Sequence, residues 1–278
     1  MISEVVNAPV FAANSCQDAN APQWLRADPV PAPSARKSAT HHHRVFRHPR
    51  ADTTLTSTMA KQIPAHILKL PAHLSHKSAL VLLPPSDIIA PIELLRRVYD
   101  KQFDRWPPHI NLLYPFLANA GVRNKEDGGT QYTLKNEIRM RIARAVQDIA
   151  PFHMSLPADA PSAFHHSERS YSVWLRPTTQ NIQGLHAALQ TEFYEVNHDT
   201  RPFTPHLSVG QTRSQIGVEK LNAKVEKTVS EFLSKNGAEE GSPIALDWPV
   251  DRVCVIERGG FKDRFQVVAE IELEKERS

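Results

Sequence analysis

The chain has 278 residues, 41% hydrophobic and 23% charged, enough for one large or two small soluble folding units. Its formal charge of +3 is uneven: residues 1–77 hold nine Lys/Arg against four Asp/Glu, leaving 24 against 26 for residues 78–278, so the latter lack the basic excess that grips long duplex nucleic acid. The two cysteines, Cys16 and Cys254, exclude a disulfide framework or a thiolate metal site, and no apolar run approaches the roughly 18 residues needed to cross a membrane.

Residues 1 to about 75 keep neither a period of 2 nor one of 3.6 and are broken by Pro, Ser, Thr and His, which predicts a disordered leader over 1–77. Its Arg, Ser and Ala content weakly resembles an organellar transit peptide, but Glu4 and the prolines Pro9, Pro22, Pro29, Pro31 and Pro33 interrupt any amphipathic helix. No secretory signal is present, so the expected location is cytoplasmic, with a nuclear one open. The triplet His41–His43 reads as a solvated tract, because three consecutive side chains cannot converge on one ion without contorting the backbone.

Order is expected from Ser78, where ALVLLPP reads as a buried strand ended by Pro84 and Pro85. Ser86 can cap a helix running to about Lys101 on Ile88, Ile89, Ile92, Leu95 and Tyr99, provided Pro91 lies in its first turn. A strand follows over His109–Phe116, then a polar loop over Asn119–Thr130. Ile138, Ile142, Val146 and Ile149 mark a helix stopped by Pro151, and strands follow at Phe152–Leu156 and Tyr171–Leu175. Between those strands His165 and His166 fall in a polar, exposed run. The order then repeats: a helix over about Thr179–Phe193, a strand over Thr204–Gly210, a helix over about Ser214–Leu233, and strands at Ile244–Trp248, Arg252–Glu257 and Phe265–Leu273. Each half thus yields a helix, a His-bearing strand, a helix and further strands. Residues 78–278 are therefore expected to form an α+β, bilobed, duplicated fold, an antiparallel sheet with helices in each lobe and a cleft between them.

The two His-bearing strands share a phrase. WPPHINLLYPF, from Trp106, and FTPHLSVGQ, from Phe203, both give Pro-His, an aliphatic residue, a small polar residue and another aliphatic residue. In an extended strand His109 and Asn111 point one way, as do His206 and Ser208, while Ile110, Leu112, Leu207 and Val209 point into a core. A lone His beside Pro is ordinarily a packed or hydrogen-bonded core residue. Two matching phrases, each with its polar companion on the same face, can instead present two imidazoles to one phosphate.

These phrases, 97 residues apart, resemble the signature of the two-histidine (2H) phosphoesterase superfamily: His, any residue, then Ser or Thr, flanked by hydrophobic residues. That family includes 2'-5' RNA ligase-like proteins and cyclic phosphodiesterases. The resemblance covers about residues 78–273 and implies opening of 2',3'-cyclic phosphates at RNA ends or on nucleotides, leaning towards a 2'-phosphate product, with reversible 2'-5' ligation open through the same site. It assigns the acid–base work to His109 and His206 without saying which is which, and the phosphate oxygens to Ser208 and Asn111. No metal or cofactor is required, because hydrogen-bond donors and an imidazolium can stabilise the charge. The expected partner is an RNA 2',3'-cyclic phosphate end or a cyclic nucleotide, met by a monomer.

Asn111 departs from the pattern: its amide can donate to phosphate, but it is longer than Ser or Thr. It keeps a different class of function open, a module that binds cyclic or 2'-phosphorylated ends without turnover. Weaker substrate-binding candidates are Tyr114, on the opposite face from His109 if the strand is regular and so equally a core residue; Phe203, a base stacker or a core aromatic; and Gln211 and Arg213, contacts to phosphate or ribose or ordinary surface groups. Trp106 shares the ambiguity of Phe203.

Overall fold

The computed structural model describes residues 70–126, 129–197 and 201–273, all within one compact unit, Ile63–Ser278. Its first half contains β1 (Leu74–Ser75), β2 (Ser78–Leu82), α1 (Ser86–Tyr99), β3 (Ile110–Leu113), β4 (Phe116–Leu117), β5 (Gly121–Glu126), β6 (Gly129–Leu134), α2 (Asn136–Val146) and β7 (Phe152–Pro157). The second contains β8 (Ser162–Ser167), β9 (Ser170–Leu175), α3 (Asn181–Glu192), β10 (Leu207–Thr212), α4 (Gln215–Lys235), β11 (Ala245–Val250), β12 (Arg252–Glu257) and β13 (Gln266–Glu272). His41–His43 and Cys16 lie outside the described residues.

Strand pairing is antiparallel throughout, and the fold is α+β. One sheet has the order β13-β12-β2-β3 and another β10-β9-β8, with the smaller pairs β11-β7, β1-β4 and β5-β6. The two His-bearing strands, β3 and β10, are edge strands of the two main sheets. The sheets do not correspond to consecutive halves of the chain, as the repeated order suggests. α1, from the first half, packs on β10 and α4, whereas α3, from the second half, packs on β3 and α2. The chain crosses between lobes because β2 and β12, near the two ends of the described residues, pair with each other.

Alternation explains why β2 is apolar after Ser78. Leu80 and Leu82 join the main core, while Ala79 and Val81 join a second small cluster with Cys254, Ile256 and Phe265, against which Trp106 packs. Both faces of the strand are covered, so its one polar residue, the buried Ser78, is satisfied by donating its Oγ–H to the Leu117 carbonyl at 2.7 Å. At roughly 25 cal/mol per Å² of buried apolar surface, this double coverage makes the sheet a rigid mount for β3.

Several sequence expectations change. β1 pairs with β4 through Leu74 and Leu117, upstream of Ser78. Ser86 is the first helical residue of α1 rather than its cap, and no side chain caps that end. Pro91 lies beyond the first turn; its missing N–H leaves one helical carbonyl without its usual partner, and burial of Pro91, Ile92 and Leu95 holds the helix regardless. The polar stretch after Asn119 is a hairpin, β5–β6, and the run containing His165 and His166 is strand β8, where both histidines are exposed. Ser214, expected as part of the helix, instead caps α4, its Oγ accepting from the Gly217 N–H at 3.1 Å.

Candidate active site

Each motif histidine stands one residue ahead of its strand and is anchored in the same way. His109 Nδ1 lies 2.7 Å from the carbonyl of Pro107, and His206 Nδ1 lies 2.8 Å from the carbonyl of Thr204. A carbonyl only accepts, so Nδ1 carries the proton in both rings and Nε2 holds the lone pair when the ring is neutral. Among the described residues neither Nε2 has a hydrogen-bond partner. Burial pushes His109 down to about 4, helped by the charges of Arg96 and His206 and opposed by the bond to Pro107. Burial also lowers His206, again against its backbone bond. The two rings are thus close enough for the charge of one to disfavour charge on the other.

The duplication extends to a feature that strand alternation does not reveal. In β3 the register slips between the Leu80–Leu113 and Val81–Asn111 pairs, making Leu112 a bulge; in β10 it slips between Ser208–Trp174 and Gly210–Val173, making Val209 a bulge. Both bulges lie three residues after the histidine. Each adds a residue that faces the core and so reverses the parity of everything beyond it. Leu112 and Leu113 are accordingly both buried, as are Val209 and Gly210.

The bulge moves Tyr114 off the core face assigned by regular alternation. Tyr114 is 37% exposed, its ring is edge-on to Trp106 at 5.2 Å, and Trp106 stacks on His109 at 4.6 Å and 17°. Gln211, five residues after His206 as Tyr114 is after His109, is likewise returned to the motif face, where its amide donates to Asp100 Oδ1 at 3.2 Å. Asn111 pairs with Val81 across β2 and so shares the face on which Trp106 packs; its Oδ1 is buried without a partner. Ser208 is half-buried and pairs with Trp174.

Three residues beside the histidines have no marker in the motif. Phe164 and Trp174 stack on each other at 4.7 Å and both stand edge-on to His206, at 4.9 and 5.6 Å. The alternation of Tyr-Ser-Val-Trp-Leu places Trp174 opposite the core-facing Val173, but only the pairing with β10 brings it beside Ser208. Arg96 is 2% exposed, and its Nε and Nη2 donate to Asp100 Oδ2 at 2.8 and 2.7 Å. Asp100 also accepts from the Gln102 N–H at 2.8 Å. The Arg96–Asp100 pair therefore connects the His206 strand, through Gln211, to the surroundings of His109.

Two weaker candidates are placed differently. Phe203, half-buried, stacks on His186 at 3.7 Å and 4° and packs on the main core. Arg213 is exposed and, among the described residues, has no hydrogen-bond or ion-pair partner. Among the described residues no three His, Cys, Asp or Glu side chains gather as metal ligands, and no helix is long and apolar enough to cross a membrane. Cys254 is buried, which pushes its thiol up to about 12.

Paired imidazoles fixed in one tautomer, with two half-buried polar side chains two residues on, can hold an anionic group and move protons on both sides of it. No curated protein matches the chain by sequence. Solved structures similar to it include TT0787 of Thermus thermophilus, at 17% identity over 72% of this chain and 100% of that one, TM-score 0.41. Others are E. coli LigT complexed with 3'-AMP, at 13% over 72% and 99%, TM-score 0.41, and Usb1 of Kluyveromyces marxianus, at 11% over 71% and 98%, TM-score 0.38. The model of one family, the 2'-5' RNA ligase superfamily, matches residues 84–261, a span that holds both histidine motifs and well over half of the chain. By that match the chain belongs to the 2'-5' RNA ligase superfamily of 2H phosphoesterases.

Proposed function

We propose that the protein opens 2',3'-cyclic phosphates at RNA ends or on nucleotides, without a metal, by acid–base catalysis between His109 and His206. The observation that carries this reading is the twin anchoring: each Nδ1 is tied to a carbonyl two residues upstream, and each Nε2 is left without a partner among the described residues. In the reaction one Nε2 takes a proton from water as its oxygen bonds to phosphorus. The other, protonated, gives its proton to the 3' oxygen as the P–O3' bond breaks, leaving a 2'-phosphate. A 5'-hydroxyl in place of water gives a 2'-5' linkage by the same two transfers.

His109 is the base in this scheme. Its pKa of about 4 and the adjacent Arg96 charge keep it neutral, while an anionic phosphate raises the pKa of His206 and supplies the acid. Ser208 and the amide of Asn111 hold the nonbridging oxygens. The depressed pKa of both rings favours one second reading, binding of such ends without turnover, because at neutral pH the free site holds little imidazolium. The test is incubation of the full chain with a 2',3'-cyclic nucleotide in EDTA, under both multiple- and single-turnover conditions, with the product resolved into 2'- and 3'-phosphates. A 2'-phosphate is expected. Saturable binding with no product in a single turnover would leave the binding module, and dependence on a divalent ion would overturn the metal-free scheme.

A further inference from the structure

Resting on that reading of the site, we infer that the protein carries a second binding surface beside His109, a strip of aromatic rings flanked by Lys77 that takes the single-stranded RNA segment leading to the cyclic end. The strip begins at the site: Trp106 stacks on His109, Tyr114 stands edge-on to Trp106, and the exposed His76 lies 5.5 Å from Tyr114. Behind Trp106, at 3.9 Å, lies Phe265, which is buried and backs the strip rather than facing a ligand, and the Arg258 guanidinium lies over both it and the exposed Phe261. Phe261 is 64% exposed and, among the described residues, is the one exposed phenylalanine.

An exposed ring is useful for stacking only if it is held in place, and Arg258 does this. It is 6% exposed, its guanidinium lies over Phe265 at 4.7 Å and Phe261 at 5.4 Å, and it donates to the carbonyls of Phe261 at 2.7 Å and His76 at 3.2 Å. One buried cation thereby fixes the backbone at both exposed ends of the strip. Lys77 adds a second positive charge, its Nζ 5.7 Å from the Phe261 ring and bonded to the Gly259 carbonyl at 2.8 Å.

The chemistry selects the occupant. Exposed rings that offer a flat π-face, with the Lys77 ammonium beside them, suit a single strand of nucleotides, because every base can stack and every linkage carries a negative charge. The strip is built at the margin of the family match: His76 and Lys77 precede residues 84–261, and Phe261 is the last residue matched.

The test compares kcat/KM for adenosine 2',3'-cyclic monophosphate with that for a single-stranded RNA pentamer ending in a 2',3'-cyclic phosphate. The wild type is expected to prefer the pentamer by at least about tenfold, the value of one stacked base, and Phe261→Ala to abolish most of that preference. Lys77→Ala should flatten the logarithmic salt dependence of pentamer binding by about 0.7, as expected for one lost phosphate contact. Equal kcat/KM for both substrates in the wild type, or a preference unchanged in both variants, would overturn the strip. If the wild type turns over neither substrate, the catalytic reading falls and binding decides the strip alone, by fluorescence anisotropy of a 5'-labelled pentamer ending in a 2'-phosphate. Weaker binding by Phe261→Ala supports it, and unchanged affinity in both variants rejects it.

Discussion

Truncating Trp106 should move the pKa of His109 without touching the histidine. Burial is the largest cause of its depression from an ordinary 6.5 to about 4, equivalent to about 3 kcal/mol favouring the neutral ring. Trp106 stacks on one of the two ring faces at 4.6 Å, while the bond from Nδ1 to the Pro107 carbonyl lies in the ring plane. Trp106→Ala wets that face and leaves the anchor, so about half of the dehydration is relieved and the pKa rises by about one pH unit or slightly more. At pH 5 a ring with a pKa of about 4 is about nine-tenths neutral, and one with a pKa of about 5 is half neutral. A base must be neutral to work, so the acid limb of kcat/KM should move upward by the same amount. NMR titration of the His109 ring and the pH dependence of kcat/KM measure the two effects, with Trp106→Phe as the conservative control. A wild-type His109 titrating near 6.5, or a Trp106→Ala pKa no higher than that of the wild type, would refute the reasoning.

Ser208→Ala and Asn111→Ala should each lower kcat/KM by about 10- to 100-fold, whereas Asn111→Thr, which restores the family pattern, should retain or raise it; no loss in either alanine variant would remove these residues from the phosphate site. Asp100→Ala leaves the Arg96 guanidinium buried and unpaired, so urea unfolding should show a loss of about 3–5 kcal/mol; a loss below about 1 kcal/mol would contradict the burial of the pair. Gly210→Ala places a Cβ 2.5 Å from Tyr99 Cβ and 3.2 Å from Leu221 Cδ2 and should cost about 1–3 kcal/mol. By contrast, Gly184→Ala, in α3 with nothing within 4 Å, should stabilise by about 0.5–1 kcal/mol; the opposite order of melting temperatures would contradict the packing of α1 on β10.

Much of the fold is legible wherever one residue's pattern depends on its own neighbours. The 3.6 period of Val218, Leu221, Val225 and Val229 locates α4, and the twin phrases locate both histidines. What is not legible depends on pairing. A bulge belongs to two strands at once, so nothing in INLLY or LSVGQ signals that Leu112 and Val209 are extra residues, and regular alternation puts Tyr114 and Gln211 on the wrong face. Phe203 is free to stack a base as far as its own neighbours show, and only the packing of α3 brings His186 against it. Phe164 lies in a polar run and reaches His206 only because β8 pairs with β9. The crossing of helices between lobes arises from pairing between β2 and β12, some 170 residues apart, for which a local pattern carries no sign.

The most direct measurement is turnover of a 2',3'-cyclic nucleotide by the full chain and by His109→Ala, His206→Ala and the double variant. Two proton transfers made in one step predict that each single variant loses about 10²- to 10⁴-fold in rate and that the double variant loses little more than either alone. Turnover at the wild-type rate in either single variant would contradict catalysis by the paired histidines.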